Sequence, residues 1–269
     1  MPTRWVAMHD VRISLANDHV DQRSYRMAYT FHAQTCTRFD SRLKSLGAAT
    51  ELSLPQIASL EFGEYSFGGE RTCLWDQSRE GHESLRKPSA KCFQETEVPL
   101  ARDKFSTLIE RSFMATGNGG GKRRPYPSGG ALYSVQVTVF VRHVGNIGVG
   151  AYHVLPCSRE LERLHSLPES VVSDRLFLGM NSKLRAFDFA ILYSAIGAIP
   201  LAKYRNRGYR LALVEAGSMY QVAIQNADLI GISNRVWGGF DDDGLSIAFG
   251  IDPRVAWPVM CQIFGREQF

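Results

Sequence analysis

The chain has 269 residues, 44% hydrophobic and 22% charged, an ordinary globular balance with enough apolar material for one large domain, or one domain plus an extension. Its 31 Lys and Arg against 27 Asp and Glu leave a net charge of +4, too mild to imply nucleic acid and suited to an anionic cofactor or an acidic peptide. Five widely spaced cysteines without a CxxC pair exclude a disulfide framework and a zinc site, leaving buried free thiols in a reducing cytoplasm as the simplest reading.

The opening MPTRWVAMHD is no signal peptide, because charges flank a very short apolar stretch. Residues 1–95 are polar and weakly periodic, with short elements suggested at 54–57 and 62–69, and read as a peripheral extension. From residue 96 the organisation sharpens. The spacing of Phe105, Leu108, Ile109 and Phe113 predicts a helix over 103–114. Residues 134–142 alternate, with Val135, Val137, Val139 and Val141 facing one way and Gln136 and Thr138 the other, which predicts a half-buried strand. Further strands are predicted at 151–155, 187–194 and 258–264. Residues 211–230 are apolar on nearly every side, predicting a buried helix stopped by Gly231. The longest apolar run, 189–202, falls short of the ~20 residues of a membrane helix. Strands and helices in this uneven order indicate an α+β layer structure.

The glycine-rich stretch 116–122 fails as a phosphate loop. Counting back from Lys122, Thr116 stands where the first glycine belongs, and Arg123 replaces the required hydroxyl residue. A flexible surface loop over 117–121 is expected instead.

Three blocks carry chemistry. In the first, Arg123 and Arg124 precede the turn Pro127-Ser128-Gly129-Gly130, pairing planar guanidinium donors with backbone that a ligand can approach closely. A tight turn feeding a strand, with solvated arginines, explains the same residues. In the second, Trp237-Gly238-Gly239-Phe240 offers flat apolar walls and backbone donors, as a flavin ring requires, or simply a packed aromatic loop. The Asp241-Asp242-Asp243 run after it lacks the rest of a calcium loop and reads as a solvated turn. In the third, Lys203, Arg205, Arg207 and Arg210 surround Tyr204 and Tyr209 at the end of an apolar strand. A partly desolvated lysine among other cations loses some preference for its charged form and can serve as a base; the alternative is a basic surface loop.

RRPYPSGGALY (123–133), KYRNRGYRLALVEAGSMYQ (203–221) and ADLIGISNRVWGGF (227–240), in this order, resemble the nitroreductase-like flavin enzymes. More narrowly, they resemble the azoline dehydrogenases of thiazole/oxazole-modified peptide pathways, among them the flavin dehydrogenase subunits of microcin synthases. Similarity is dense from about residue 99 and vague before it.

The resemblance implies an FMN-binding α+β fold with a central antiparallel sheet flanked by helices, in a cytoplasmic homodimer with FMN at the subunit interface. It implies that Lys203 and Tyr204 are the catalytic pair, and that Arg123, Arg124, Ser128, Gly129, Gly130, Gln221, Trp237, Gly238 and Gly239 contact the flavin. The implied partners are an azoline-containing precursor peptide, an ATP-dependent cyclodehydratase and a leader-peptide-binding subunit. In the implied reaction Lys203, assisted by Tyr204, takes the azoline Cα proton while the Cβ hydride passes to the flavin, which oxygen reoxidises. Two departures stand out: Ser134 occupies a position where the family often has Pro, and Arg266 is the single basic residue in the short tail. An NAD(P)H-dependent nitro or quinone reductase, and a non-catalytic scaffold subunit, are the alternatives.

Overall fold

A computed structural model describes residues 11–37, 53–55, 72, 87–117, 123–178 and 182–267. Six strands form one antiparallel sheet: β1 (Val135–Val141), β2 (Gly150–Leu155), β3 (Glu160–His165), β4 (Phe189–Ile196), β5 (Ser233–Trp237) and β6 (Ala256–Gly265), in the order β3-β2-β1-β4-β6-β5. Around it lie α1 (Val11–His19), α2 (Gln22–Thr35), α3 (Arg102–Phe113), α4 (Glu169–Leu176), α5 (Ala198–Tyr204), α6 (Arg207–Ile230) and α7 (Asp242–Ala248).

The valines of β1 pack with Ile191 and Tyr193 against Phe105, Leu108 and Phe113 of α3 and Ala216, Met219 and Ala223 of α6. The opposite face is also buried. Phe140, Ala190 and Leu192 meet Val172 and Leu176 of α4, Leu245 of α7 and Ile13 of α1. So β1 is a central strand covered on both faces, not half-buried as its alternation suggested: Phe140 is 0% and Thr138 2% exposed. Burying one side chain of Phe140's size stabilises the fold by roughly 1.5–3 kcal/mol.

α6 ends as predicted. Gly231 takes the left-handed conformation (φ 69°, ψ 41°), while the N–H groups of Gly231 and Ile232 close on the carbonyls of Asp228 and Ala227. Only one face of α6 is buried, however, and Val214 and Leu229 are 62% and 74% exposed. The apolar run 189–202 divides between β4 and α5, because Gly197 passes against the Trp257 ring so closely that a Cβ would collide with it. Lys203 and Tyr204 consequently end a helix rather than a strand.

Weak periodicity concealed two helices. Asp21 caps α2 by accepting from Ser24 N at 2.9 Å. Tyr25, Tyr29 and His32 of α2 then close around Trp257, with ring centroids 5.4, 5.9 and 5.5 Å away. Two strands also went unpredicted, β5 and the charged edge strand β3, where Glu160, Glu162 and Arg163 discourage further pairing. The elements suggested at 54–57 and 62–69 lie outside the described residues except for 54 and 55, as does the loop 117–121 except for 117.

The acidic run is no solvated turn. Asp241 is 3% exposed, caps α7 through Gly244 N and pairs with Arg175 at 2.6 Å. Asp242 is also buried and accepts from Thr37 N at 2.8 Å. Asp241 stands at the helix N-terminus, which suits its negative charge, and the Thr37 backbone covers Asp242. Of the described cysteines, Cys261 is buried, Cys36 and Cys92 are half-buried and Cys157 is exposed. Among the described residues no helix is long and apolar enough to cross a membrane.

Candidate functional site

The turn before β1 is conformationally unusual. Gly130 (φ 64°), Ala131 (φ 55°) and Tyr133 (φ 50°) are all left-handed, a conformation costing a non-glycine residue roughly 1–2 kcal/mol. Hydrogen bonds from α6 hold the turn in place. Ser128 Oγ accepts from Tyr133 N at 2.8 Å and donates to Glu215 Oε2 at 2.6 Å. Glu215 also accepts from Val135 N at 2.9 Å and Ser134 Oγ at 3.3 Å, although it is only 3% exposed. Three donors on one buried carboxylate make a strong charge-assisted anchor.

The anchor sets Gly130 directly against the Lys203–Tyr204 pair. A Cβ at Gly130 would stand 2.8 Å from Lys203 Nζ and would collide with Tyr204 Oη. Lys203 Nζ lies 5.4 Å above the centroid of the Tyr204 ring. Both residues end α5, where the chain reverses through Arg205 (φ 50°) into α6. Gly208 permits the reversal, since any Cβ there would strike the backbone of Pro200. Leu211, one turn before Glu215, packs 3.2 Å from where a Cβ of Gly129 would stand. The first and third blocks, some seventy positions apart, therefore form one cluster.

Lys203 is exposed, so within one chain it lacks the partial desolvation expected of it. A cleft of about 420 Å³ opens beside Tyr204, between Arg205 and Arg207 on one side and Arg23 and Met27 of α2 on the other.

The remaining expected contacts divide. Arg124 is built into the turn: Nη1 donates to Tyr126 Oη at 3.0 Å, and the guanidinium lies 4.7 Å over the Tyr133 ring. Burial pushes the Tyr126 phenol up to about 12 despite Arg124, so Tyr126 stays protonated. Arg123 is exposed and exchanges backbone hydrogen bonds with Thr116. Trp237 ends β5, donates its indole N–H to Leu176 O at 2.7 Å and packs 6.1 Å from Phe177. Gly238 and Gly239 are exposed beyond it, with open space around Gly238. Gln221 is exposed on α6, two turns after Val214. Among the described residues no hydrogen bond joins Gln221 or the 237–239 segment to the Gly130 cluster within one chain.

No protein-family model matches the chain. Over 150 residues it is 41% identical to the microcin B17-processing protein McbC of Escherichia coli, a match covering 54% of this chain and 55% of McbC. The match thus spans about half the length of that curated relative. A chain in the E. coli microcin synthetase McbBCD complex, solved with truncated pro-MccB17 bound, superposes with a TM-score of 0.84 at 30% identity, covering 97% of this chain and 99% of that one. The chain belongs to the McbC family.

Two structures described as nitroreductases, from Anabaena variabilis and Ralstonia eutropha, share the fold at TM-scores of 0.57 and identities of 20% and 18%. They cover 68% and 73% of this chain, and the chain covers 37% and 89% of theirs. The McbC-family chain thus has the nitroreductase-like α+β fold expected, a central antiparallel sheet flanked by helices.

In this McbC-family chain Arg266 is not available to a ligand. It grips Asp188 through two bonds of 2.7 and 3.1 Å and donates to Val98 O at 2.6 Å. Other cations stand near the Trp237 segment instead. Arg235 lies 5.7 Å over the Trp237 ring and donates to Ala90 O at 3.0 Å. This bond fixes the strap that carries Lys87 and Lys91, while Ala90 N donates to Asn234 O at 2.9 Å. Sequence reasoning missed Arg235 and both lysines, since β5 was not predicted and the lysines fell in the stretch read as a peripheral extension. It also quoted Glu215 without giving it a role, for lack of any signal that its carboxylate faces Ser128.

Proposed function

We propose that this chain is an FMN-dependent dehydrogenase that oxidises thiazolines and oxazolines of a ribosomally made peptide to thiazoles and oxazoles. The observation that carries the reading is the anchored contact of Gly130 with Lys203 and Tyr204, within a chain whose fold follows the microcin synthetase relative over nearly its whole length.

The residues present fit a flavin. Exposed backbone at Gly130, open space around Gly238, and the cations Arg123, Arg124 and Arg235 provide close approach and positive charge. Ser128 gives its one proton to Glu215, so its part is to shape the turn rather than to donate to the ligand. When bound, FMN supplies the two-electron acceptor that the loss of hydrogen requires. Lys203, exposed in the single chain, is the group whose neutral amine takes the Cα proton once the substrate closes over it and excludes water. Tyr204 orients the lysine and faces the cleft through which the peptide enters.

The partners are an azoline-containing precursor peptide and the cyclodehydratase and leader-binding subunits, supported by the peptide-bound McbBCD complex that the chain matches. A homodimer suits the exposed apolar residues Leu213 and Val214 of α6, which share a face with Gln221. Gln221 and the 237–239 segment then join the Lys203 cluster from the second subunit. Residues 1–95 are an extension that docks partner subunits, a role that suits Leu15, Met27 and Phe31, each more than half exposed on α1 and α2. The cytoplasm is the compartment in which such a complex meets its precursor.

Lys203→Ala tests the reading. It is expected to retain FMN absorbance while azoline oxidation falls roughly 10²–10⁴-fold, the usual worth of a placed base. Near-normal oxidation by this variant would contradict it.

A further inference from the structure

The second face of the sheet carries a row of polar side chains where a covered strand is ordinarily apolar. Gln136 and Ser194 are partners across β1 and β4, Thr138 and His153 across β1 and β2, and His153 and Glu162 across β2 and β3. This row floors a cavity of about 290 Å³, roofed by Ile13 and Asn17 of α1 and walled by Ile251 and Val255. Ser194 is 1% exposed, lines the cavity, and makes no hydrogen bond through Oγ among the described residues. Gln136 pairs with His153 Nε2 at 3.3 Å and His153 with Glu162 at 3.6 Å. That leaves the Ser194 hydroxyl as the costly group in the row, a buried donor facing a cavity with nothing among the described residues to meet it.

We propose that this cavity binds a small uncharged molecule with an apolar body and an amide or hydroxyl end, seated with its polar end on Ser194, beside Gln136. Its chemistry follows from the walls. Burial holds His153 below its ordinary range, so the imidazole is neutral. Asp252 at the rim is already tied to Arg254 at 2.7 Å, and Glu162 stands half-exposed at 3.6 Å from His153. Among the described residues no Lys or Arg lines the interior to favour an anion. At about 30 Å³ per water the volume equals that of roughly ten waters, which admits a ligand of about ten non-hydrogen atoms.

The cavity shares no lining residue with the Gly130, Lys203 and Tyr204 cluster. A hydrogen-bonded path joins them: Gln136 Nε2 donates to Tyr133 O at 3.4 Å, and Tyr133 N donates to Ser128 Oγ at 2.8 Å. An occupant beside Gln136 therefore bears on the turn that carries Gly130.

The test is calorimetric titration of the full-length, flavin-loaded protein with benzamide, using benzoate as the charged counterpart. The expected result is saturable one-to-one binding of benzamide, with benzoate at least about tenfold weaker. Ser194→Leu fills the floor and is expected to weaken benzamide binding by about tenfold or more while flavin content stays unchanged. Ile13→Trp fills the cavity from the roof and serves the same purpose if the first variant does not fold. Absence of saturable binding to the unmodified protein, equal binding by the filled variants, or equal affinity for benzoate would overturn the proposal. Loss of flavin from the filled variants would also overturn it, by making the cavity part of the flavin site.

Discussion

Ser128 donates its hydroxyl proton to Glu215 at 2.6 Å, joining two residues 87 positions apart. Through this bond the strained turn at Gly130 is fixed to α6, the helix that begins just after Lys203 and Tyr204. The candidate catalytic pair and the candidate flavin turn thus share one anchor, a buried carboxylate that touches neither Lys203 nor Tyr204.

Removing the anchor is expected to loosen the turn. Glu215→Ala strands Ser128, Ser134 and the Val135 N–H, at about 1–3 kcal/mol for each unsatisfied group. A melting point lower by several degrees and a reduced flavin content are expected, with Glu215→Gln intermediate because its carbonyl still accepts from Val135. An unchanged melting point for the alanine variant would show that the anchor contributes little.

Gly130→Ala tests the contact from the other side. Its left-handed backbone (φ 64°) costs an alanine roughly 1 kcal/mol, and the added methyl would push Tyr204 and Lys203 aside. Oxidation is expected to fall at least about tenfold, a displacement effect, with overall stability changing little. Full activity would mean that the pair works from another position.

Much of this was open to inspection in the sequence. Phe105, Leu108, Ile109 and Phe113 marked α3 by their spacing, and Gly231 marked the end of α6. The turn and the Lys203–Tyr204 pair stood out as motifs. What the sequence concealed was tertiary. Glu215 looked like an ordinary helical glutamate, because only the approach of the turn makes it an anchor. Phe140 and Thr138 looked half-exposed because the helices that cover them come from distant segments. α1 and α2 escaped notice because α2 packs Tyr25, Tyr29 and His32 on Trp257, and polar-edged aromatics give little apolar periodicity. Arg235 and Lys91 gain meaning only from the strap along β5.

Asp242 makes stability depend on pH. Burial raises its carboxyl from an ordinary 3.8 to about 7, so the folded state holds a proton that the unfolded chain releases. The associated stability is present at low pH and is lost as pH rises from about 4 through about 7, by at most about 1.4 kcal/mol per pH unit. Thermal melts across that window are expected to fall with pH for the unmodified chain. Asp242→Asn, which still accepts from Thr37 N, is expected to flatten the profile; an unaltered profile would assign the dependence to another group.

The most direct test of the functional reading is the visible spectrum of the purified protein during anaerobic titration with an azoline-bearing peptide. The expected result is a set of flavin bands that bleach with the peptide, while the product loses two mass units for each ring oxidised. Flavin that ignores the peptide and bleaches only with NADPH would contradict the reading in favour of a reductase, and a purified complex without flavin would contradict it in favour of a scaffold.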